Sequence, residues 1–331
     1  MTTEPAVADV VASHDHGATP ARPGKESHAR ESEAVSKLMA VTLGFYLLAI
    51  VVVMMVNRVW ITPDVLLIFI GIGALLVGRG VMFLRDWLPF VGVLLAWEAM
   101  RGLADNVGAA VHSDSVIALE RFLSFGIVPT VELQRLFYDP SRVGVLDVSM
   151  AVVYGAHFAF PLVVAFLFWL RDRPLYYRFI GSLMLMAIAG FFIYLLVPVA
   201  PPRFAYQFGE ALPVHDIMAN TWQKLDAVAW VSWAYANMSG NPYAAFPSLH
   251  AAFPVLAWLF VRGRYPVAAW VVVVYGAIVW FAIVYLGHHY IVDILGGVLL
   301  AAGTYFGVIR LGLLDRLFRR LAPARKAEAD A

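Results

Sequence analysis

Long apolar runs, separated by short polar breaks, occupy most of the chain between residues 38 and 309. A helix of about 20 apolar residues is long enough to cross the hydrocarbon core of a bilayer. The pattern therefore predicts an all-α, polytopic membrane bundle of about eight spanning helices. Their expected limits are 38–56, 64–84, 88–104, 147–170, 177–199, 248–261, 266–286 and 290–309.

Polar and mixed stretches depart from this pattern and divide the chain. Residues 1–37 are polar and lack apolar periodicity, which is typical of a disordered tail. Residues 105–146 mix apolar and charged positions, as in amphipathic helices that lie in the membrane interface. We therefore expect N-terminal spanning and interfacial helices over 38–146, a second membrane domain over 147–311, and a basic tail over 312–331.

Composition agrees with a membrane protein and excludes several other classes. Hydrophobic residues make up 61% of the chain and charged residues 14%, whereas soluble domains carry about 25% charged residues. The formal net charge is only +1 and no basic stripe is present, so we expect no nucleic-acid partner. The chain has no Cys, which excludes disulfides, thiol catalysis and a thiolate-bound metal.

The distribution of Lys and Arg predicts the orientation in the membrane. If the N-terminal tail is cytosolic, most of the Lys and Arg residues fall in segments on the cytosolic side. Positive residues are concentrated in the cytosolic loops of membrane proteins. We therefore expect a multi-pass protein of the cell membrane with both termini in the cytosol.

Two short motifs carry the candidate chemistry: Phe246-Pro247-Ser248-Leu249-His250 and Gly287-His288-His289-Tyr290-Ile291-Val292-Asp293. Between them lie two apolar runs joined by a short polar turn, which predicts a helical hairpin that crosses the bilayer and returns. His250 and His289 should therefore emerge on one side, the extracytoplasmic side in the orientation above. His289 and Asp293 are four residues apart, so they share a helix face and the carboxylate can hold the imidazole.

These motifs resemble the second and third signature motifs of the type 2 phosphatidic acid phosphatase superfamily, and especially those of its inositol phosphorylceramide synthase branch. The segment Val199-Ala200-Pro201-Pro202-Arg203 is similar to the Ala-Pro-Pro element of that branch. The resemblance covers about residues 190–310. It implies a six-helix catalytic core within the 147–311 domain, and an enzyme that acts on a lipid phosphoester.

The resemblance also implies a role for each motif residue. His289, oriented by Asp293, would attack phosphorus and form a phosphohistidine. His250 would protonate the leaving alcohol and then deprotonate the acceptor. Arg203 and the Ser248 hydroxyl would bind the phosphoryl oxygens, together with backbone N–H groups at the start of a helix. This scheme requires no metal and no other cofactor.

The sequence also departs from the typical phosphatase pattern of this superfamily. Ala282 and Ile283 stand where the third motif usually has Ser and Arg, and Leu196 stands where the first motif has Lys. A phosphate-binding arginine is therefore missing. This difference favours the synthase-like branch over simple phosphatidic acid phosphatase activity.

Three further residues are candidates for substrate binding. His288 adjoins the candidate nucleophile and either orients the site or is a spare interfacial group. His157 lies inside an apolar run, where an ionisable residue is costly, and it either has a functional role or makes a hydrogen bond in the core. Lys224 is a second cation, which would serve the phosphoryl group if Arg203 did not.

Two classes of function remain open. The favoured one is a membrane lipid phosphotransferase or phosphatase. Its substrate would be a membrane lipid phosphate or a phospholipid, with a polar alcohol such as inositol as the acceptor, or with water in the hydrolysis of a polyprenyl phosphate. The alternative is a non-catalytic lipid transporter or scaffold on the same helices. The intact His, His and Asp set speaks against that alternative, and so does the lack of inverted repeats.

Overall fold

The computed structural model describes residues 63–76, 78–104, 111–208, 212–225, 243–314 and 316; for 63–65 and 93–104 it describes the backbone alone. The predicted tail 1–37, the predicted span 38–56 and most of the tail 312–331 lie outside these residues. The described helices are α1 (Pro63–Leu76), α2 (Gly80–Ala104), α3 (Ser113–Leu123), α4 (Pro129–Phe137), α5 (Val145–Ala156), α6 (Phe160–Arg171), α7 (Arg173–Leu196), α8 (Ile217–Lys224), α9 (Leu249–Val261), α10 (Pro266–Tyr285) and α11 (Ile291–Tyr305). A 3₁₀ helix (Pro202–Phe208) follows α7, and a π-helical turn (Phe306–Arg310) follows α11.

Several of these helices are suited to cross a membrane. α7, α10 and α11 with its π-helical turn are long and apolar enough to do so, and α5 and α6 meet the same criterion only as a pair that is bent by 50°, in the manner of a broken span or a re-entrant loop. The described residues contain no strand, only an isolated bridge between Val199 and Ala244. The predicted all-α membrane architecture is therefore confirmed, whereas the number of eight spans stays a prediction.

The boundary between the predicted spans 64–84 and 88–104 is wrong, because α1 ends earlier and α2 continues unbroken through the expected gap. The chain instead turns at Gly78, whose φ of +70° is a left-handed conformation that glycine adopts without a Cβ clash. Asp86 lies in the expected gap but is buried within α2, because Arg173 pairs with it there.

The predicted span 147–170 is two helices rather than one. Pro161 has no N–H to donate to the His157 carbonyl, as a residue at this place in a continuous helix would. The N–H of Phe160 donates to that carbonyl instead (3.2 Å), and the chain bends here by 50°. The bend brings residues 154–158 against the start of α9.

α9 packs against α10 and α11, and α7 packs against α9 and α11. Because α9 and α10 are joined by a short turn, His250 at the start of α9 and His289 after the end of α10 lie at the same end of the helices, as the hairpin spacing predicts. The histidine end is defined by His157, His250, His288 and His289. The opposite, arginine end is defined by Arg79, Arg173 and Arg264.

α3 and α4 occupy the stretch 105–146 that was predicted to lie in the membrane interface. α3 is amphipathic: Ile117 and Glu120 are buried, whereas Leu119 and Phe122 are exposed. The buried face of α3 packs against α11. The location of these helices in the interface stays a prediction.

Candidate active site

His289 lies in the short loop between α10 and α11, and its two ring nitrogens have different partners. Nδ1 is 3.0 Å from the Ala245 carbonyl oxygen and 3.3 Å from Asp293 Oδ2. Since a carbonyl oxygen only accepts hydrogen bonds, Nδ1 carries the proton and Nε2 has a lone pair. Nε2 is 3.2 Å from Nδ1 of His250. The ring therefore presents an unprotonated nitrogen to the second histidine.

The surroundings of His289 keep its ring neutral. Burial disfavours the charged imidazolium, and together with the charge of Arg203 it lowers the pKa of His289; the Ala245 carbonyl acts in the opposite direction. A neutral imidazole with a fixed tautomer has the lone pair that a nucleophile needs.

Asp293 is held by the start of its own helix. It is fully buried in the first turn of α11, and its Oδ2 accepts the backbone N–H of Tyr290 (2.8 Å), as in a capping box. Oδ1 has no hydrogen-bond partner among the residues that the structure describes. The carboxylate therefore keeps acceptor capacity for His289 when that ring gains positive charge.

His250 is half-buried in the first turn of α9, and Ser248 fixes the start of that helix. Ser248 Oγ accepts the N–H of Ala251 (3.3 Å), and the Ser248 N–H donates to the Asp293 carbonyl (2.9 Å). These bonds join the beginnings of α9 and α11, and so set the distance between His250 and His289. The predicted contact of the Ser248 hydroxyl with a phosphoryl oxygen stays a prediction.

Arg203 approaches the histidines from the 3₁₀ helix after α7. Its Nη1 is 2.6 Å from His288 Nδ1, and because a guanidinium only donates, that nitrogen of His288 is the acceptor. Nε is 3.4 Å from Asp216 Oδ2, and the backbone N–H donates to the Gly287 carbonyl (3.1 Å). Burial and the charge of Arg203 both lower the pKa of His288, so this ring is also neutral.

His157 is brought to the same place by the bend between α5 and α6. It is fully buried, and its ring centroid is 4.9 Å from that of His250. The ring stacks on Phe253 (5.2 Å), and its Nδ1 is 3.5 Å from the Tyr275 hydroxyl. Nε2 has no hydrogen-bond partner in the described part of the chain. Its predicted role in binding substrate stays a prediction.

Lys224 points elsewhere. It lies at the end of α8, where its ammonium group donates to the Pro140 carbonyl at an exposed position. Arg203, by contrast, contacts a site histidine directly. The structure therefore favours Arg203 over Lys224 as the cation that serves the site.

A sequence model of the PAP2 superfamily matches residues 114–306, which is more than half of the chain and includes every residue placed above. The chain belongs to the PAP2 superfamily. Together with its apolar helices, this membership makes it a multi-pass membrane protein. The predicted resemblance to the type 2 phosphatidic acid phosphatases is confirmed.

Curated relatives of this PAP2 chain include synthases of inositol-containing lipids. The chain is 32% identical over 169 residues to an inositol phosphorylceramide synthase of Candida albicans, which covers 49% of this chain and 36% of that protein. It is 29% identical over 168 residues to an inositol phosphorylceramide synthase catalytic subunit of Schizosaccharomyces pombe, with 47% and 39% covered. It is 29% identical over 223 residues to a phosphoinositol dihydroceramide synthase of Bacteroides thetaiotaomicron, with 64% and 72% covered.

These relatives confirm the predicted branch, although the chain spans well under half the length of the two fungal proteins. No solved structure matches the chain.

Two positions that are charged in the PAP2 phosphatase pattern hold apolar residues in this chain. Ile283 is fully buried in a cluster with Ala251 and Ile294. Leu196, where the first motif has Lys, is mostly exposed at the end of α7. Neither position supplies a charge, which leaves Arg203 as the guanidinium that the described residues bring to the histidines.

Glu120 is one residue of this PAP2 site that was not predicted from the sequence. Its two carboxylate oxygens accept the backbone N–H groups of Ile291 and Val292 (3.0 Å each), so α3 caps the start of α11. Burial raises the pKa of Glu120, while these two hydrogen bonds oppose that shift. The available signal was an acidic residue on the apolar face of an amphipathic helix, beside Val116 and Ile117.

Tyr154 is a second residue of the site that was not predicted from the sequence. Its ring lies 4.7 Å from the ring of His250 and 4.3 Å from that of His288. The sequence offered only one hint, which was that Tyr154 precedes His157 by three residues and so shares its helix face. An aromatic residue at such a position is usually part of a packed core, so the sequence alone gave no reason to select it.

Proposed function

We propose that this PAP2 protein is a membrane lipid phosphotransferase, which moves a phosphoryl headgroup from a phospholipid to the hydroxyl of another lipid. One observation carries the proposal. The His289 proton is fixed on Nδ1 by the Ala245 carbonyl and Asp293, and the lone pair of Nε2 faces His250 at 3.2 Å. A nucleophile in contact with a proton carrier, and oriented by a third group, is typical of covalent catalysis. A transporter or scaffold has no need of it.

In the first step, the lone pair of His289 Nε2 forms a bond to phosphorus. The bond from phosphorus to the leaving oxygen breaks, its electron pair stays on that oxygen, and the oxygen takes a proton from protonated His250. The contact between His250 and His289 opens when phosphorus enters between them. Asp293 stabilises the positive charge that develops on His289, and Arg203 binds the phosphoryl oxygens.

In the second step, His250 takes the proton from an acceptor hydroxyl. The acceptor oxygen bonds to phosphorus while the nitrogen–phosphorus bond breaks, and that electron pair returns to His289 Nε2. A lipid hydroxyl as acceptor gives transfer, and water gives hydrolysis. The names of the relatives support transfer, and so does the buried, apolar Ile283 at the position of the phosphatase arginine.

The same names suggest the two substrates. Because the relatives are named for joining a phosphoinositol group to ceramide or dihydroceramide, we propose an inositol phospholipid as the donor and a ceramide-type lipid as the acceptor. Free inositol, the polar acceptor expected from the sequence, is the competing acceptor to be tested. Hydrolysis of a polyprenyl phosphate is the competing reaction.

The test uses purified protein in phosphatidylcholine vesicles that contain an inositol phospholipid labelled in its inositol ring. Ceramide, free inositol or neither is added. Transfer predicts a labelled inositol phosphorylceramide that forms only with ceramide, and no product from the His289→Ala variant. Phosphate release from polyprenyl phosphate without transfer would instead identify a hydrolase. Lipid binding with no turnover of any of these substrates would favour the transporter or scaffold.

The phosphohistidine has a test of its own. A donor labelled in its phosphoryl group, quenched with a denaturant at neutral pH during turnover, should leave label on the protein that acid removes, because a bond between phosphorus and a histidine nitrogen is labile to acid. The label should be absent from His289→Ala. Label that persists in that variant would assign the nucleophile to another residue.

We also propose eight spanning helices, both termini in the cytosol and a site that faces outward, on the basis of the Lys and Arg distribution. The chain has no Cys, so single cysteines report without background. Phe125, which is 99% exposed after α3, should react as Phe125→Cys with a membrane-impermeant thiol reagent added outside. Gly263→Cys, in the exposed turn between α9 and α10, should react only after the membrane is permeabilised. The reverse pattern would overturn the orientation.

A further inference from the structure

The bend between α5 and α6 surrounds His250 with aromatic rings. Tyr154 stacks on the His250 ring at 4.7 Å with an angle of 21° between the planes, and Phe158 meets it edge-on at 5.3 Å. His157 is 4.9 Å away at 31°, but its own ring is stacked closely on Phe253. Tyr154 is therefore the ring that lies most nearly parallel to His250 in this group.

Tyr154 has a second contact on the other side of the site. Its ring centroid is 4.3 Å from that of His288, the ring that accepts the Arg203 guanidinium. One side chain thus touches both the proton carrier of the proposed reaction and the partner of the proposed phosphate-binding arginine. Neither contact is predicted by the two signature motifs, because Tyr154 lies more than ninety residues before them.

In the absence of substrate, His250 is also held by its contact with His289 at 3.2 Å. That contact opens when phosphorus enters between the two rings. The Tyr154 and Phe158 rings still contact the His250 ring at that stage, while one of its N–H groups must point at the leaving oxygen. Proton transfer depends steeply on this geometry, since a misplacement of about 1 Å can cost about 100-fold in rate.

We propose that Tyr154 is a positioning residue, whose ring face keeps His250 aligned for proton transfer to the leaving alcohol. The inference rests on the proposed function. It concerns the ring, because the ring contacts both His250 and His288. It predicts a defect in one chemical event, the protonation of the leaving oxygen, rather than in folding or lipid binding.

Donors with different leaving groups distinguish a defect in protonation of the leaving oxygen from a defect in folding or lipid binding. An aliphatic alcohol is a poor leaving group that needs a proton, whereas a nitrophenolate departs without one. Two donors with the same phosphoinositol headgroup are compared, one with a dialkylglycerol leaving group and one with a nitrophenol that bears an alkyl chain. The readout is kcat/KM, which covers the reaction up to departure of the leaving group.

We expect Tyr154→Leu to lower kcat/KM for the alkyl donor by about 10- to 100-fold and for the nitrophenyl donor by less than about threefold. Tyr154→Phe should stay within about threefold of wild type on both donors, because it keeps the ring. His250→Ala sets the benchmark, with the same dependence on the leaving group and a larger loss. Phe160→Leu is the matched control: it removes a ring from the same bend, but that ring stacks on Tyr275 at 4.4 Å.

Each other outcome contradicts the inference. An equal loss on both donors would show a structural role for Tyr154, and an unchanged rate would show none. A loss in Tyr154→Phe as large as in Tyr154→Leu would assign the effect to the hydroxyl. If Tyr154→Leu does not fold, Tyr154→Met fills the same space with a flexible side chain and takes its place. Failure of the proposed function looks different, because the wild type would then turn over neither donor and both proposals would fall.

Discussion

The two ends of the helices both bury charge, yet they satisfy it differently. At the arginine end, the Asp86 carboxylate accepts hydrogen bonds from Arg173 (2.7 and 2.9 Å), from the Trp169 indole (2.8 Å) and from the Tyr177 hydroxyl (2.6 Å). Close by, Arg264 pairs with Asp172. Each of these carboxylates meets a guanidinium, so its charge is balanced within the protein.

At the histidine end, buried carboxylates meet neutral partners. Asp293 accepts from a backbone N–H and from a neutral His289, and Glu120 accepts two backbone N–H groups. Asp293 Oδ1 and His157 Nε2 have no hydrogen-bond partner among the described residues. Buried polar atoms are nearly always satisfied in proteins, so such exceptions call for an explanation. The two ends therefore differ in the partners of their carboxylates, which are guanidinium groups at the arginine end and neutral groups for Asp293 and Glu120 at the histidine end.

The strongest test of this comparison changes side chains at each end. We expect His289→Ala to lower turnover by at least about a thousandfold, because the nucleophile is lost, with little change in the melting temperature. Asp293→Asn should cost about a hundredfold, since His289 remains but its tautomer is no longer fixed. Asp86→Asn, the matched change at the arginine end, should melt several degrees lower and keep its kcat. The comparison fails if Asp86→Asn is the inactive variant.

The second test compares an arginine from each end. Arg203→Ala should lose about 3 kcal/mol of transition-state stabilisation, or more than about a hundredfold in kcat/KM. Arg203→Lys should recover only part of this, because lysine lacks the planar fork of donors. Arg173→Ala should chiefly lower the melting temperature, since Arg173 is the partner of Asp86. Normal kinetics in Arg203→Ala would mean that another cation binds the phosphoryl group.

The third test uses two glycines with similar backbone angles. Gly287 has φ +79°, and an added Cβ would lie 3.0 Å from Val214 Cγ1 and 3.5 Å from Arg203 Cβ. We expect Gly287→Ala to lower kcat/KM about tenfold, because it displaces the Arg203 segment. Gly78 at the arginine end has φ +70°, but no atom of the described residues lies within 4 Å of an added Cβ. Gly78→Ala should lose about 1–2 kcal/mol of stability and no activity. If Gly287→Ala and Gly78→Ala are equally active, then backbone strain explains both variants, and displacement of the Arg203 segment has no effect on activity.

The smallest expected effect concerns the cap on α11. Glu120→Gln replaces one accepting oxygen by an NH₂ group that faces a backbone N–H, so the start of α11 loosens. We expect kcat to fall about three- to tenfold, with a lower melting temperature. Glu132→Gln is the control, because Glu132 is exposed in part and pairs with Arg135 on the surface of α4. A drop in melting temperature with unchanged kcat would make Glu120 a stabilising residue without effect on the site.

The sequence predicted the parts of the site that local spacing controls. The i, i+4 spacing predicted the contact between His289 and Asp293, although His289 lies in the loop before α11 and not on the helix itself. Two apolar runs between the motifs bring His250 to the same end. The contribution of α3 and α5 to the site could not be predicted from local spacing. Glu120 reaches α11 across 171 residues of sequence, and no local periodicity encodes a contact of that range.

The erroneous boundary at Asp86 has the same origin. A carboxylate in an apolar run reads as a break in a helix, because an unpaired charge is costly in hydrocarbon. Arg173 removes that cost by approaching from a helix far along the chain. Lys224 shows the converse: its charge suggested a role in the site, but the fold directs it to the Pro140 carbonyl.

By itself, the sequence determined the membrane class and the hairpin that pairs the two motifs, because apolar run length and short-range spacing are properties of the chain alone. The superfamily and the candidate nucleophile followed from the resemblance of those motifs to a known family. Only the tertiary structure decided which ring nitrogen of His289 carries the proton, that Arg203 rather than Lys224 reaches the histidines, and that Tyr154 and Glu120 belong to the site. These outcomes depend on partners contributed by distant segments, and such partners meet only when the helices pack.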